Sequence, residues 1–318
     1  MLTVDFINVG YGDAILVRKD GFHMLVDCGD CTTGDGGPGS ARISAAEFLQ
    51  QEGVKKLDLL VLTHLHRDHS GGLTELLRLV HVKEFRGNYL PPRSFWGGAV
   101  PVPQRFSAGA RCLLESLNIY LGALKTLEEQ GTKITLAVPG AWALAPGLTA
   151  DAFLEDASVF DRQSAIWQSV LEGQADSREL EELDRFINNT SVRLRLCCGG
   201  RTVELPGDLY ADCWEAHSVA PCTVVKLPHH GHRDSMTARL LEMLDPECAV
   251  ISVSNTRTDD CPSAAVLELL HRRGCPVHVT DAVSLDGVSP VPHRSVRLSV
   301  DPAGRWSVDA TPAQTASA

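Results

Sequence analysis

Between His64 and His69, the segment Thr63-His64-Leu65-His66-Arg67-Asp68-His69 carries three imidazoles and one carboxylate. A solvated polar loop is the plain reading of such a stretch. Its density points instead to metal ligation, because neutral imidazole and carboxylate are the common protein ligands of zinc and also suit manganese and iron. Side chains alternate along an extended segment, so His64 and His66 can share a face. Asp68 and His69 then turn toward a second position, and one segment can serve two cations. Asp208 after Gly207, and the pair His229-His230, add donors elsewhere in the chain. Taken alone, each of these is an ordinary turn or strand-end residue.

The elements that must position these groups follow from periodicity. Residues 57–63, LDLLVLT, read as a buried strand that delivers the cluster at its carboxyl end. Residues 2–9, 14–18 and 22–27 read as an antiparallel meander ending at Asp27, with helices expected at 41–52 and 72–80. In the second half, strands at 191–197 and 201–206 pair through Gly199-Gly200, and a strand over 222–228 ends at His229. A helix at 235–244, a strand at 248–253, a helix at 263–273 and a strand at 276–280 follow. Residues 295–300 and 305–309 suggest a closing hairpin. Residues 86–185 are less regular, with a helix over 108–130, strands within 133–145 and a largely helical, charged stretch over 150–187. They read as a helical insertion or lid, at about 86–185, in a single domain over 1–310, with a flexible tail at 311–318.

Composition narrows the function classes. Of 318 residues, 44% are hydrophobic and 22% charged, which excludes disorder as the dominant state. The formal net charge of −11 argues against a broad nucleic-acid-binding face, which needs clustered Lys and Arg, but leaves room for a local groove. The start, MLTVDFINVGYGD, lacks the basic and apolar regions of a signal peptide. No run of about 18 apolar residues predicts a membrane span. Ten cysteines without a spacing framework point to reduced thiols and a cytoplasmic location, with no membrane partner. Cys28 and Cys31 form a lone CxxC whose bland reading is a turn after a strand.

The whole set, taken in order, resembles the metallo-β-lactamase superfamily. The His64–His69 segment is similar to its HxHxDH signature, Pro206-Gly207-Asp208 to its "GD" element, and Lys226-Leu227-Pro228-His229-His230-Gly231 to a late "K-P-H-H-G" element. VDFINVGYGDAILV and Asn188-Asn189-Thr190-Ser191-Val192 resemble elements of the ComEC-like subgroup, the soluble domain of DNA-uptake proteins and its stand-alone relatives. The resemblance spans roughly 2–80 and 186–310. It implies an α/β fold, a four-layer αβ/βα sandwich. It also implies two divalent metal ions, Zn or Mn, held by His64, His66, Asp68, His69, Asp208 and His230. Asp27, Asn189 and Ser191 would orient ligands. Many superfamily members place a His where this chain has Asn188, Asn189 and Ser191, so one metal position would take only His64, His66 and Asp208 from protein. His230 aligns with the ligand position of the late element, and His229 then faces the substrate. His232 and Lys226 are candidate substrate contacts; His232 could equally be a surface residue.

The implied chemistry is hydrolysis by a metal-bridging hydroxide, with Asp68 and Asp208 as the catalytic carboxylates and His229 as proton donor to the leaving oxygen. The expected partner is a phosphoester substrate, extending to nucleic acid, which makes the chain a phosphodiesterase or nuclease. A small-molecule hydrolase of a lactone, thioester or β-lactam is the enzymatic alternative. A non-catalytic, metal-stabilised binding protein is the alternative from another class.

Overall fold

Along the strand Leu59–Leu62 every side chain is buried, yet successive residues enter different cores. Leu59 and Val61 join one apolar cluster, and Leu60 and Leu62 another. A strand covered on both faces reads as a continuous apolar run, as LDLLVLT does. The computed structural model describes residues 1–34, 36, 40–256, 260–283 and 291–312.

The chain opens with β1 (Leu2–Ile7), β2 (Ile15–Lys19) and β3 (Phe22–Val26), then α1 (Ala45–Gln51), β4 (Lys56–Leu57) and β5 (Leu59–Leu62). Next come α2 (Arg67–Ser70), α3 (Leu73–Leu79), β6 (His81–Val82), β7 (Glu84–Gly87), α4 (Ala108–Glu129) and β8 (Lys133–Leu136). β9 (Gly140–Ala145), β10 (Leu148–Phe153), α5 (Ala157–Leu171) and α6 (Ser177–Phe186) lead to β11 (Arg193–Cys198) and β12 (Arg201–Leu205). The chain closes with α7 (Ala211–Glu215), β13 (Val224–Lys226), α8 (Ala238–Leu244), β14 (Cys248–Ile251), α9 (Ala264–Arg273), β15 (Val277–Val279), β16 (His293–Val300) and β17 (Trp306–Pro312).

An eight-stranded sheet has the order β17-β16-β1-β2-β3-β5-β7-β8, and a seven-stranded sheet the order β15-β14-β13-β12-β11-β10-β9. Between them lies a core that takes Val4, Phe6, Met24 and Val61 from the first sheet and Ala150, Leu194, Val203 and Val250 from the second. The outer face of the first sheet packs on α1, α3, α4, α5 and α6, and that of the second on α7, α8 and α9. This is the four-layer sandwich expected from the resemblance. β3, β5, β7 and β8 run parallel, as do β12, β13, β14 and β15, so their carboxyl ends can gather functional loops at one edge.

Residues 86–185, expected as an insertion or lid, contribute strands to both sheets. β8 extends the first sheet beside β7, and β9 and β10 extend the second beside β11. α4 is amphipathic because its buried residues, among them Leu113, Leu117, Leu121 and Leu124, recur at helical spacing. This middle region is therefore built into the sandwich. Residues 150–153, at the start of the stretch read as largely helical, belong to β10. Thr311 and Pro312, read as tail, pair within β17, and 313–318 lie outside the described residues. Among the described residues no helix is long and apolar enough to cross a membrane.

Candidate metal centre

Four strand ends meet at the site. β3 leads into Asp27, β5 into Thr63-His64, β12 through Pro206 into Gly207-Asp208, and β13 through Leu227-Pro228 into His229-His230. Leu65, wholly buried in the outer core of the first sheet, anchors the segment between the two histidines. α2 begins at Arg67 and carries Asp68 and His69 into the same space. Two glycines allow the close approach. A Cβ on Gly12, at φ +134°, would lie 2.3 Å from the Asp68 carbonyl oxygen, and one on Gly207, at φ +60°, 2.9 Å from Ser191 Oγ.

Asp68, His69, Asp208 and His230 each offer a ligand atom, and these atoms all lie within 4.8 Å of one another. His230 Nε2 is 3.1 Å from Asp68 Oδ2 and 3.4 Å from Asp208 Oδ2. His69 Nε2 lies 3.1 Å from Asp208 Oδ2, yet no hydrogen bond forms there. Beside this group, His64 Nε2 and His66 Nδ1 face each other at 3.2 Å. The ring centroids of His64 and His69 are 4.2 Å apart. Buried carboxylates and imidazole nitrogens converging in this way, one nitrogen without a hydrogen bond, fit divalent cations by donor type and number.

The supporting contacts fix which nitrogens point inward. Asp27 accepts from the Thr63 backbone N–H at 2.8 Å and from Thr63 Oγ1 at 2.7 Å, and meets His69 Nδ1 at 2.8 Å. Asp27 thus turns His69 Nε2 toward Asp208. Ser191 Oγ lies 3.4 Å from His64 Nδ1 and accepts the Asp208 N–H at 3.1 Å. Among the described residues Asn189 makes no hydrogen bond to His64, His66, Asp68, His69, Asp208 or His230. Its Oδ1 accepts the Tyr210 N–H at 3.2 Å, and Tyr210 stacks near His229 with centroids 5.5 Å apart.

Charge and burial pull the site in opposite directions. Burial raises the Asp208 carboxyl, but His69, His230 and Lys226 outweigh it and hold the group well below the usual carboxylate range. Asp68 is lowered in the same way, burial being overcome by His69 and His230. Burial lowers His69 and His230, yet facing carboxylates raise both above the ordinary histidine value. Burial, then His69 and His66, push His64 well below it, which keeps that imidazole neutral and ready to ligate. Burial raises Asp27 despite His69.

His229 stands apart from the donor group. Its N–H donates to Asp208 Oδ1 at 3.0 Å, while its ring Nδ1 meets Asp234 Oδ1 at 2.8 Å. Both His229 and His230 take positive φ, 47° and 54°; His230 Nε2 meets Asp68 while His229 Nδ1 meets Asp234. His232 lies at the rim, its ring 4.5 Å from that of His229 and its Nε2 3.4 Å from Tyr11 Oη.

Lys226 is a correction. Expected to touch substrate, it is fully buried, paired with Asp13 and 3.6 Å from Asp208 Oδ1, and it steadies that carboxylate from below. Asp13 and Asp234 were not among the site residues read from sequence. Asp13 sits in the GYGDA segment that carried part of the resemblance, which was its signal. Asp234 follows His229 by five residues, a spacing that marks nothing until the loop is folded. Cys28 is buried, and burial and then Asp27 push its thiol well up, while Cys31 is exposed.

The fold and this geometry can be set beside known proteins. The chain is 26% identical over 293 residues to ComE operon protein 3 of Bacillus subtilis (strain 168), covering 87% of this chain and 32% of that protein. It is 23% identical over 271 residues to Recombination protein 2 of Haemophilus influenzae, covering 85% and 26%. The chain thus spans about a third or less of these relatives. The metallo-beta-lactamase fold protein YhfI from Bacillus subtilis superposes with a TM-score of 0.51 at 14% identity, covering 88% of this chain and 97% of that one. The family model for the metallo-beta-lactamase superfamily matches residues 7–254, straight through the middle region. The chain belongs to the metallo-beta-lactamase superfamily.

Proposed function

We propose that this protein is a dinuclear metal-dependent phosphodiesterase. The observation that carries the reading is the four-donor group of Asp68, His69, Asp208 and His230 beside the facing pair His64 and His66. Two divalent cations, zinc or manganese, would supply an activated water and neutralise charge on the phosphoryl oxygens. Asp208, beside His69 and His230, would be shared between the two positions, and it is kept ionised by His69, His230 and Lys226. Asp68 holds His230 in place and offers its own carboxylate to the same position. His229, with Nδ1 engaged by Asp234, presents Nε2 as the atom that passes a proton to the leaving oxygen. His232 stands beside it, where it can meet the substrate's ester group.

Support for phosphodiesters over other bonds comes from relatives that the superfamily match alone does not single out. One of them is named for recombination, which suits a nucleic-acid substrate. The net charge of −11 weighs toward small phosphodiesters instead. The test is this chain loaded with Mn²⁺ or Zn²⁺ and given bis-p-nitrophenyl phosphate, single- and double-stranded DNA, and RNA. Turnover that disappears in His66→Ala is the expected result. No turnover of any of them, with turnover of a lactone, thioester or β-lactam, overturns the reading.

A further inference from the structure

The hydrogen bonds around His64 and His66 fix where one of their protons sits and leave the other to be placed. Thr63 Oγ1 gives its hydrogen to Asp27 Oδ2 at 2.7 Å, so toward His64 Nδ1, 3.1 Å away, it can only accept. His64, kept neutral by burial, therefore carries its proton on Nδ1. Its Nε2 turns a lone pair toward His66 Nδ1 at 3.2 Å.

His66 has two neutral forms in that position. With the proton on Nδ1 it donates to His64 Nε2, and a hydrogen bond closes the gap between the rings. With the proton on Nε2, both facing nitrogens offer lone pairs, as a cation held between them requires. A hydrogen-bond acceptor on the far side of the His66 ring decides between the two forms.

Such an acceptor is present in Asp184. Its Oδ1 lies 3.4 Å from His66 Nε2, with the side chains 44% and 21% exposed. Asp184 belongs to α6, in the middle region, and its place is fixed by packing. Leu180 and Leu183 bury α6 in the outer core of the first sheet, alongside Leu113 and Leu117 of α4. Asp184 Oδ2 lies over Gly109 in the first turn of α4, where an added Cβ would come within 2.8 Å of it. Only a hydrogen leaves room for the carboxylate there, and the positive end of the 22-residue helix favours its charge.

We propose that Asp184 is a positioning residue for one cation position: its carboxylate holds the His66 proton on Nε2 and keeps Nδ1 open as the ligand atom. Asp27 treats His69 in the same way with the ring nitrogens exchanged, engaging Nδ1 and leaving Nε2 inward. The consequence for metal binding rests on the dinuclear reading above; the placement of the proton does not. Through α6, the middle region becomes part of the metal centre as well as of the sandwich.

The proton is read directly by nitrogen-15 NMR of metal-free, histidine-labelled protein at about pH 8, where an ordinary imidazole is neutral. The His66 signals are identified by their loss in His66→Gln. Wild-type His66 should be mainly the Nε2–H form, and Asp184→Ala should shift the ratio toward Nδ1–H by about three- to tenfold. A wild-type ring mainly in the Nδ1–H form overturns the proposal, and so does a ratio unchanged in Asp184→Ala. The second measurement is Zn²⁺ binding in competition with a chelating dye. Asp184→Ala should weaken one of two binding steps by about three- to tenfold, at or below the low end for such outer partners because Asp184 is partly exposed, and leave the other step unchanged. Glu182→Gln, on the same helix but paired with Arg162, should leave both steps unchanged. No loss in Asp184→Ala, equal loss in both steps, or the same loss in Glu182→Gln overturns the proposal. A single binding step in the wild type overturns the dinuclear reading instead, and the NMR measurement then decides Asp184 by itself.

Discussion

Two histidines of this protein rest on an aspartate in the same manner. His69 Nδ1 lies 2.8 Å from Asp27 Oδ2, and His229 Nδ1 lies 2.8 Å from Asp234 Oδ1. The first pair is sealed, with side chains 0% and 1% exposed, and the second is open at 20% and 48%. Distance alone would rank them equal. In the sealed pair, water cannot screen the charges, and Asp27 also takes both donors of Thr63. In the open pair, solvent weakens the contact. The sealed aspartate orients a donor of the metal group, while the open one holds the ring to which the proposed mechanism assigns proton transfer.

The comparison breaks most severely at Asp208, the carboxylate on the far side of His69. Asp208→Ala should abolish activity and empty the protein of metal, measured by elemental analysis. It also strands Lys226, His69 and His230 with excess positive charge, and urea unfolding should show a loss of about 3–5 kcal/mol. Next comes Asp27→Asn, which keeps the shape and removes the charge behind His69. Metal affinity should fall about 10- to 100-fold, read by competition with a chelating dye. Unchanged affinity would show that burial confers no special strength on the sealed pair.

The pH dependence is smaller and has a defined sign. His69 and His230 titrate above their unfolded value, so their contribution is full below about pH 6.5 and fades as pH rises through their folded values. Asp68 and Asp208 titrate below theirs, so their contribution is full above about pH 4 and fades as pH falls toward their folded values. His64, held neutral, adds to the acid-side loss below about pH 6.5. Metal-free protein should therefore melt highest at mildly acidic pH. Bound metal replaces the protons on His69 and His230, so the gain in Tm on metal addition should grow from pH 6 to pH 8. A gain that is flat with pH would contradict these assignments. The mildest test is Asp234→Asn. Stability should stay within about 0.5 kcal/mol and metal content should not change, while kcat falls and its pH profile shifts.

What the sequence disclosed tracks how locally each feature is encoded. His64, His66, Asp68 and His69 are consecutive enough to declare themselves, and the apolar run before them names the strand that holds them. Asp208 and His230 gain meaning only through order along the chain. Asp234 has no such order to lean on, and Lys226 was misread because a lysine beside a motif looks exposed until Asp13 is seen folded over it. In the middle region the inward positions of β10 are Leu148, Ala150 and Ala152, and alanine gives too weak an alternation to announce a strand.

The two left-handed residues of the late loop carry one last implication. Such a backbone costs a non-glycine residue about 1–2 kcal/mol, and glycine would relieve it. His229→Gly should therefore yield a sturdier protein with a poorer active centre, whereas His229→Ala loses the ring and keeps the strain. A glycine at that position would be the easier choice for the backbone alone, so the imidazole there is the residue on which the proposed proton-donor role can be tested against stability.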